Sequence, residues 1–233
     1  MTTKTRLVLV PGLLCSETLW SAQIEALSDI VDIIVADMSQ DDTIEGMANR
    51  VLDCVSGPFA LAGLSMGGYV SLEVMRQAPN RVDRLALMGT SARADTTKQT
   101  ARRKSLIQQA DSEGFESISV ELLPLLIHQD RLSDMSLVAD ITGMAASIGK
   151  EAFLCQQLAI MRRPDSRRGL SQINCPTLVV CGRQDVLTPP ELSEEITALI
   201  PDADLILIEA CGHLSTMERP EIVNTAMRAW LTS

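Results

Sequence analysis

The amino-acid sequence predicts an α/β fold with a mostly parallel six-stranded sheet and helices on both faces. Short apolar, β-branched runs alternate with amphipathic stretches, as they do where helices connect parallel strands. The apolar runs are nearly continuous, which indicates strands that are covered on both faces. A chain of 233 residues can bury one large core. We therefore expect one domain that carries an insertion.

The strands are predicted from six short runs of apolar and β-branched residues that are bounded by polar residues, glycine or proline. The first run ends before Pro11, and the third leads into a glycine-rich segment. In chain order, the predicted strands are Thr5–Val10, Val31–Ala36, Phe59–Leu64, Arg84–Met88, Thr177–Cys181 and Asp204–Ile208.

The predicted helices alternate with these strands. The second helix covers the segment TIEGMANRVLDCV, where apolar residues recur at helical spacing on one face. The last two helices begin at a proline, which suits the first position of a helix. In chain order, the predicted helices are Thr18–Leu27, residues 43–55, Met66–Gln77, Pro190–Leu199 and Pro220–Leu231.

A long insertion is predicted after the fourth strand. Residues 89–176 separate the fourth and fifth strands, whereas connections in α/β units are usually much shorter. The segment is rich in Leu, Met, Ala and Gln, so we expect residues 93–170 to form a small helical lid that includes one crossover helix. The flanking residues 1–92 and 171–233 would then form the core. Residues 93–170 hold 11 Lys and Arg against 10 Asp and Glu, so the lid is nearly neutral.

Composition limits the partners that the chain can have. A formal net charge of -10 repels phosphate backbones and anionic membrane surfaces, so we expect a small-molecule substrate rather than nucleic acid or membrane. No apolar run reaches the roughly 18 residues of a membrane span, and the N-terminus resembles a first strand, so a cytoplasmic location is expected. The six cysteines lack zinc-site spacing and indicate buried thiols, with no metal site. Nothing in the pattern indicates an oligomeric state.

The segment PFALAGLSMGG places one serine between a predicted strand and a predicted helix. Since the strand ends at Leu64 and the helix begins at Met66, Ser65 lies on a tight turn at the carboxyl edge of the sheet. Such a turn crowds the residues two positions before and after it, and Gly63 and Gly67 relieve the crowding because they lack a Cβ. This predicts a nucleophile. The alternative is a helix-capping serine, which does not need glycine on both sides.

A serine nucleophile needs a base, and the chain has two histidines. His213, in EACGHLSTMERP, follows the last strand at the same edge as Ser65 and is the predicted base; its alternative is a structural loop histidine. His128, in ELLPLLIHQD, is expected at the lid surface, with substrate contact as the alternative. Asp185, in VVCGRQDVLTPP, follows the fifth strand and is the predicted acid, although aspartate is also common in turns.

Two backbone amides are predicted to stabilise a developing oxyanion. One is the N–H of Met66, which follows the serine at a helix N-terminus. The other comes from the loop VPGLLCSETLW and is the Leu13 N–H, with the Leu14 N–H as second choice; both leucine side chains are equally compatible with the core.

Basic clusters at residues 102–104 and 162–168 favour solvated helix faces over a carboxylate site. The candidate substrate contacts are Leu14, Leu126, His128 and Met161.

Together, the motifs GLSMGG, GRQDVLTPP and CGHLSTMERP resemble the α/β-hydrolase superfamily, specifically its small lidded serine hydrolases, over residues 5–232. The resemblance implies the α/β-hydrolase fold and acyl transfer to water without a metal or organic cofactor. Two departures stand out: Pro11 replaces the family's usual histidine, and the chain begins at the family's third strand. Residue by residue, the resemblance implies Ser65 as nucleophile, Asp185 as acid, His213 as base, and Leu13 and Met66 as backbone donors.

This resemblance predicts hydrolysis of a small, largely apolar carboxylic ester, lactone or thioester. Three alternatives stay open, because a fold and a triad do not fix a reaction. The same residues can cleave carbon–carbon bonds or form peracids in related enzymes. A hydrolase fold can also serve as a small-molecule receptor that turns over negligibly.

Overall fold

The computed structural model of the protein describes residues 4–233 and confirms the six-stranded sheet with helices on both faces. The strands lie in the order β2-β1-β3-β4-β5-β6, and every neighbouring pair is parallel. All six carboxyl ends therefore meet at one edge of the sheet. The strands are β1 (Thr5–Val10), β2 (Val31–Val35), β3 (Phe59–Leu64), β4 (Val82–Met88), β5 (Thr177–Gly182) and β6 (Ala203–Ile208).

Ten α-helices occur within residues 4–233. Some of them begin at side-chain caps: the Thr43 hydroxyl accepts the Gly46 N–H, and Thr96 forms a reciprocal capping box with Gln99. The helices are α1 (Ser21–Leu27), α2 (Ile44–Asp53), α3 (Met66–Gln77), α4 (Thr97–Ser112), α5 (Glu116–Leu126), α6 (Met135–Arg162), α7 (Arg167–Leu170), α8 (Pro190–Leu199), α9 (Ser215–Glu218) and α10 (Pro220–Thr232).

Most predicted elements differ from the observed ones by one or two residues at an end, and one predicted helix is divided. The first predicted helix is divided into a 3-10 turn over Glu17–Trp20 and α1, because the Ser16 side chain accepts the Thr18 N–H and starts a separate turn. Strand β4 begins two residues earlier than predicted, at Val82, which pairs with Phe59. The predicted set of six strands is unaffected.

Apolar side chains cover both faces of the sheet. Alternate residues of β1 point to opposite faces: Val8 and Val10 join the cluster with α2, α3 and α8, while Leu7 and Leu9 join the cluster with α1 and α10. Each large side chain that is removed from water stabilises the fold by about 1.5–3 kcal/mol. The sheet is thus a rigid support for the loops at its carboxyl edge.

The segment between β4 and β5 forms helices α4 to α7. Helix α6 is broken at Gly149, whose φ of 82° and ψ of 171° lie outside the helical region. A third apolar cluster joins these helices to the loop after β1 through Leu14, Leu106, Ile118, Leu122 and Phe153. The division into core and lid at residues 93 and 170 stays a prediction. Within residues 4–233, none of the helices combines the length and apolar character that a membrane crossing requires.

Candidate active site

Ser65 lies in a strained turn between β3 and α3. Its φ of 56° and ψ of -114° are conformations that residues other than glycine rarely adopt. The turn is held by hydrogen bonds: the Ser65 N–H donates to the Met88 carbonyl at 2.9 Å, and its own carbonyl accepts from the Thr90 hydroxyl at 2.8 Å. The Ser65 side chain makes no capping hydrogen bond to α3, so the helix-cap alternative is wrong.

Three glycines make this turn possible. A Cβ built on Gly63 would overlap the backbone of Gly67, and one built on Gly67 would overlap the carbonyl of Val10. A Cβ on Gly68 would overlap the side chain of Thr90. The crowding that the sequence predicted around the serine is therefore present.

His213 and Asp185 form a buried pair beyond the ends of β6 and β5. The His213 Nδ1 lies 2.7 Å from Asp185 Oδ2, and each residue is only 3% exposed. The second oxygen, Asp185 Oδ1, accepts the Leu187 and Thr188 N–H groups at 2.9 Å each. The Thr188 hydroxyl donates to Asp185 Oδ2 at 2.7 Å. The carboxylate is thus fixed on both oxygens and holds the imidazole in one orientation.

The charge state of Asp185 is set by opposing effects. Burial is the largest of them and favours the neutral acid. The attraction of His213, its hydrogen bond, and the donors of Thr188 together outweigh burial and lower the pKa of Asp185 below its usual range. The aspartate is therefore ionised at neutral pH and can stabilise a protonated imidazole.

The loop that carries His213 is tied to the inserted helices. The His213 and Leu214 N–H groups both donate to the Leu126 carbonyl at the end of α5, each at 3.0 Å. The buried Glu218 carboxylate accepts the Gly212 N–H at 2.9 Å and the His128 N–H at 2.7 Å. Burial raises the pKa of Glu218, although these two N–H groups oppose the shift. The end of α5 is consequently bonded to the backbone of the residue that carries the imidazole.

Ser65 and His213 line one cavity of about 290 Å³. Its other walls come from the loop after β1 and from helices α4, α5 and α6. The structure forms no direct hydrogen bond between the two side chains, and within residues 4–233 the Ser65 hydroxyl has no hydrogen-bond partner. Catalytic hydrogen bonds are often long before substrate binds. The geometry leaves the hydroxyl open toward the cavity.

The loop after β1 runs beside the serine. A Cβ built on Gly12 would lie 3.4 Å from the Ser65 Cβ. Neither the Leu13 N–H nor the Met66 N–H has an acceptor among residues 4–233. The Leu14 N–H, the second choice from the sequence, donates instead to the buried Gln156 side chain at 2.9 Å. Two free amides therefore remain next to the Ser65 turn.

The four candidate substrate contacts divide into two pairs. Leu14 and Leu126 line the cavity, whereas His128 and Met161 are not among its lining residues. His128 is directed elsewhere because its N–H binds Glu218 and its ring accepts the N–H of Asp130. Met161 lies near the end of α6, past the part of that helix that reaches the cavity.

Four polar residues of the site were not recognised from the sequence. Thr188 bridges the aspartate and the histidine, Glu218 holds the histidine loop, and Gln156 binds the loop after β1. Gln157, the next residue after Gln156, lines the cavity and is fully buried. Adjacent glutamines in the apolar run EAFLCQQLAIM are a signal that could have located the last two, since buried polar residues need specific partners.

The assembled groups suit acyl transfer. A hydroxyl and an imidazole held by a carboxylate line a mostly apolar cavity, and two unpaired amides lie next to the hydroxyl. This is the set of groups that covalent acyl chemistry requires. Within residues 4–233, no three His, Cys, Asp or Glu side chains cluster as metal ligands.

Comparisons with known proteins find similar sequences and folds over nearly the whole chain. A family model described as the alpha/beta hydrolase family matches residues 7–226. The chain is 31% identical to a thermophilic esterase from Thermogutta terrifontis solved with malate bound, with a TM-score of 0.90 and coverage of 99% of this chain and 90% of that one. It is 28% identical to a provisionally named carbamate hydrolase, RutD, of Agrobacterium fabrum, over 97% of this chain and 92% of that protein. It is 24% identical to the pimeloyl-[acyl-carrier protein] methyl ester esterase of Nitrosomonas europaea, over 92% and 91% of the two chains.

Proposed function

This chain belongs to the alpha/beta hydrolase family and is a hydrolase, and from that premise we propose that it cleaves small, largely apolar carboxylic esters, lactones or thioesters through an acyl-enzyme on Ser65. The observation that carries the proposal is the position of Ser65. It occupies a strained turn on the wall of the cavity that also holds the imidazole of the buried His213–Asp185 pair. Strain of this kind is retained where it serves a site.

The first half of the reaction forms the acyl-enzyme. The Ser65 Oγ attacks the carbonyl carbon while the His213 Nε2 accepts its proton. His213 can do so because Asp185 Oδ2 accepts the Nδ1–H, which leaves Nε2 as the basic nitrogen. The carbonyl oxygen becomes an oxyanion and accepts the Leu13 and Met66 N–H groups. Each donor of this kind contributes about 3 kcal/mol to transition-state stabilisation.

The second half releases the acid. His213 returns its proton to the leaving alkoxide or thiolate, and the bond between the carbonyl carbon and that group breaks. His213 then takes a proton from a water molecule, whose oxygen attacks the acyl carbon. The bond between that carbon and Ser65 Oγ breaks, and Oγ receives the proton from His213, which releases the acid and restores the hydroxyl. Residues of α4, α5 and α6 cover the cavity and limit the access of bulk water.

The choice of an ester-like substrate rests on the cavity and on relatives. Its lining is mostly apolar, with leucines from several elements. The printed names of the relatives from Thermogutta terrifontis and Nitrosomonas europaea are those of esterases. The Cys15 thiol, which also lines the cavity, is an unsuitable nucleophile because burial raises its pKa to about 12.

A fluorophosphonate probe combined with turnover of p-nitrophenyl butyrate tests this proposal. We expect the probe to label Ser65, as identified by peptide mass spectrometry, and Ser65→Ala to lower kcat by about 10⁴ to 10⁶-fold. Ser119 also lies on the cavity wall, so Ser119→Ala should keep the label on Ser65. Labelling of another residue, or turnover that survives Ser65→Ala, would contradict the mechanism.

The same experiment separates the alternatives. Tight ligand binding without turnover of any acyl ester favours a receptor. Turnover of a 1,3-diketone in the absence of ester hydrolysis favours carbon–carbon bond cleavage. Peracid formation from acetate and hydrogen peroxide at a higher rate than ester hydrolysis favours a perhydrolase.

A further inference from the structure

One wall of the cavity carries positive charge. Lys98, Arg102 and Arg103, all on α4, line the cavity, and no aspartate or glutamate is among its lining residues within residues 4–233. This is unusual in a chain with a formal net charge of -10. The cavity lining therefore carries a net positive charge, although the chain as a whole is acidic.

Two of these cations have no counter-charge. The Arg103 guanidinium is bound by Asp95, with Nε to Oδ2 at 2.8 Å. Lys98 and Arg102 make no ion pair and no side-chain hydrogen bond within residues 4–233. They are four residues apart on α4 and so lie on the same face, where like charges repel. An anion between them would relieve that repulsion.

A buried hydrogen-bond donor belongs to the same wall. The Gln157 side chain is fully buried and lines the cavity; its Oε1 accepts from Arg103 at 3.0 Å, which fixes the orientation of the amide. The Gln157 Nε2 has no acceptor within residues 4–233. Buried donors normally have a partner. An oxygen atom of a ligand would satisfy this donor.

We propose that Lys98, Arg102 and Gln157 form a carboxylate subsite, so that the preferred substrates are esters or lactones that carry a second, ionised carboxyl group away from the scissile bond. The inference rests on the proposed function and specifies its substrate class. The remaining walls, with Leu106, Leu122 and other apolar side chains, accommodate the hydrocarbon chain that separates the two ends. Lys98 and Arg102 attract the carboxylate, and the amide fixes one of its oxygens.

Matched ester pairs test the subsite. The monomethyl esters of succinate, glutarate, adipate and pimelate are compared with methyl butanoate, pentanoate, hexanoate and heptanoate, which have a methyl group in place of the carboxylate. Hydrolysis is followed in a pH-stat at neutral pH. For at least one chain length, we expect kcat/KM of the acidic ester to exceed that of its neutral partner by about tenfold, and the advantage to fall as salt is added.

Variants of α4 provide the decisive comparison. The double variant Lys98→Gln with Arg102→Gln should remove the advantage of the acidic ester, mainly by raising KM. Lys104 is exposed on the same helix but does not line the cavity, so Lys104→Gln is a control with the same kind of charge change and should keep the advantage. An unchanged thermal midpoint and intact labelling of Ser65 show that the double variant is folded.

The outcomes distinguish the two proposals. If Ser65 is labelled and neutral esters are cleaved but no acidic ester is favoured, or the advantage survives in the double variant, the subsite is wrong and the esterase mechanism stands. An equal loss in Lys104→Gln also overturns the subsite, because it indicates a general effect of net charge. If no ester is cleaved and Ser65 is not labelled, the proposed function itself fails.

Discussion

The buried Gln156 side chain holds the backbone of Leu14. Its Oε1 accepts the Leu14 N–H at 2.9 Å, and its Nε2 donates to the Met38 carbonyl at 3.0 Å. Leu14 has a φ of 59°, a left-handed conformation that costs a leucine about 1–2 kcal/mol. The hydrogen bond keeps this conformation in place and leaves the neighbouring Leu13 N–H unpaired beside Ser65. Gln156 lies on α6, so this helix supports the loop after β1.

Gln156→Leu should therefore impair catalysis more than substrate binding. The change leaves the Leu14 N–H and the Met38 carbonyl buried without partners, which lowers the free energy of unfolding by about 2–4 kcal/mol. Displacement of the Leu13 amide weakens a contact that forms mainly in the transition state, so kcat should fall at least about tenfold with a small change in KM.

Two further variants separate a positioning role of Gln156 from a general effect on stability. Gln156→Glu keeps an oxygen for the Leu14 N–H and should restore part of kcat. Ile196→Ala, on α8, whose residues are not among those that line the cavity, should lose about 2–5 kcal/mol of stability with kcat unchanged. Equal losses of kcat in Gln156→Leu and Ile196→Ala would refute a positioning role.

Strain at Ser65 predicts a stability difference between two inactive variants. The φ of 56° and ψ of -114° are costly for any residue with a Cβ, including alanine. Ser65→Gly should be more stable than Ser65→Ala by about 1 kcal/mol, after the greater flexibility of unfolded glycine is subtracted. Urea unfolding measures the difference.

The exposed position Ser105 in α4 provides the control. There the Ser105→Gly variant should instead be less stable than Ser105→Ala by about 1 kcal/mol. A Ser65→Gly variant that unfolds at lower urea than Ser65→Ala would show that the turn is not strained.

Glu218→Gln should destabilise the loop that carries His213. Two N–H groups, from Gly212 and His128, donate to the two carboxylate oxygens. A glutamine offers one oxygen, so its NH₂ group must face one of these donors, and the free energy of unfolding should fall by about 1–3 kcal/mol. We also expect kcat to fall, because the loop positions the imidazole. Thermal unfolding and ester turnover measure both effects.

The exposed Glu209, paired with Arg183, gives the control Glu209→Gln, which should change stability by less than about 0.5 kcal/mol. Similar effects of the two substitutions would contradict this role of Glu218.

The sequence could predict the sheet and the position of the main site residues for one reason. Ser65, Asp185 and His213 each follow a predicted strand, and parallel strands bring their carboxyl ends to the same edge. Local sequence signals were therefore sufficient to locate these three residues. The signals were the glycines around the serine and the turns after the fifth and sixth strands. The apolar periodicity also placed the five predicted helices within a few residues of their observed ends.

Contacts made by the inserted helices could not be predicted in the same way. Gln156 is 142 residues from Leu14 in sequence, and their hydrogen bond depends on how α6 packs over the sheet. The same packing decides that Arg102 lines the cavity while its neighbour Lys104 does not. Helical spacing gives the face on which a side chain lies, but it does not show what that face contacts.

The lowered pKa of Asp185 predicts how stability depends on pH. Burial raises this pKa, but His213 and Thr188 outweigh it, so the folded-state pKa lies below the unfolded value of about 3.9. Below about pH 4 the unfolded state binds more protons than the folded state, so the contribution of Asp185 is complete above about pH 4 and is lost as the pH falls through the folded-state pKa. Asp185→Asn should thus lose stability at pH 7, and its deficit relative to the native chain should narrow below about pH 4. Urea unfolding from pH 7 to pH 3 measures the deficit.

The exposed Asp204 forms no ion pair or side-chain hydrogen bond within residues 4–233, so Asp204→Asn should follow the native curve throughout. A deficit of Asp185→Asn that stays constant over this range would mean that the aspartate stabilises the fold by packing alone and that its charge is not held by His213.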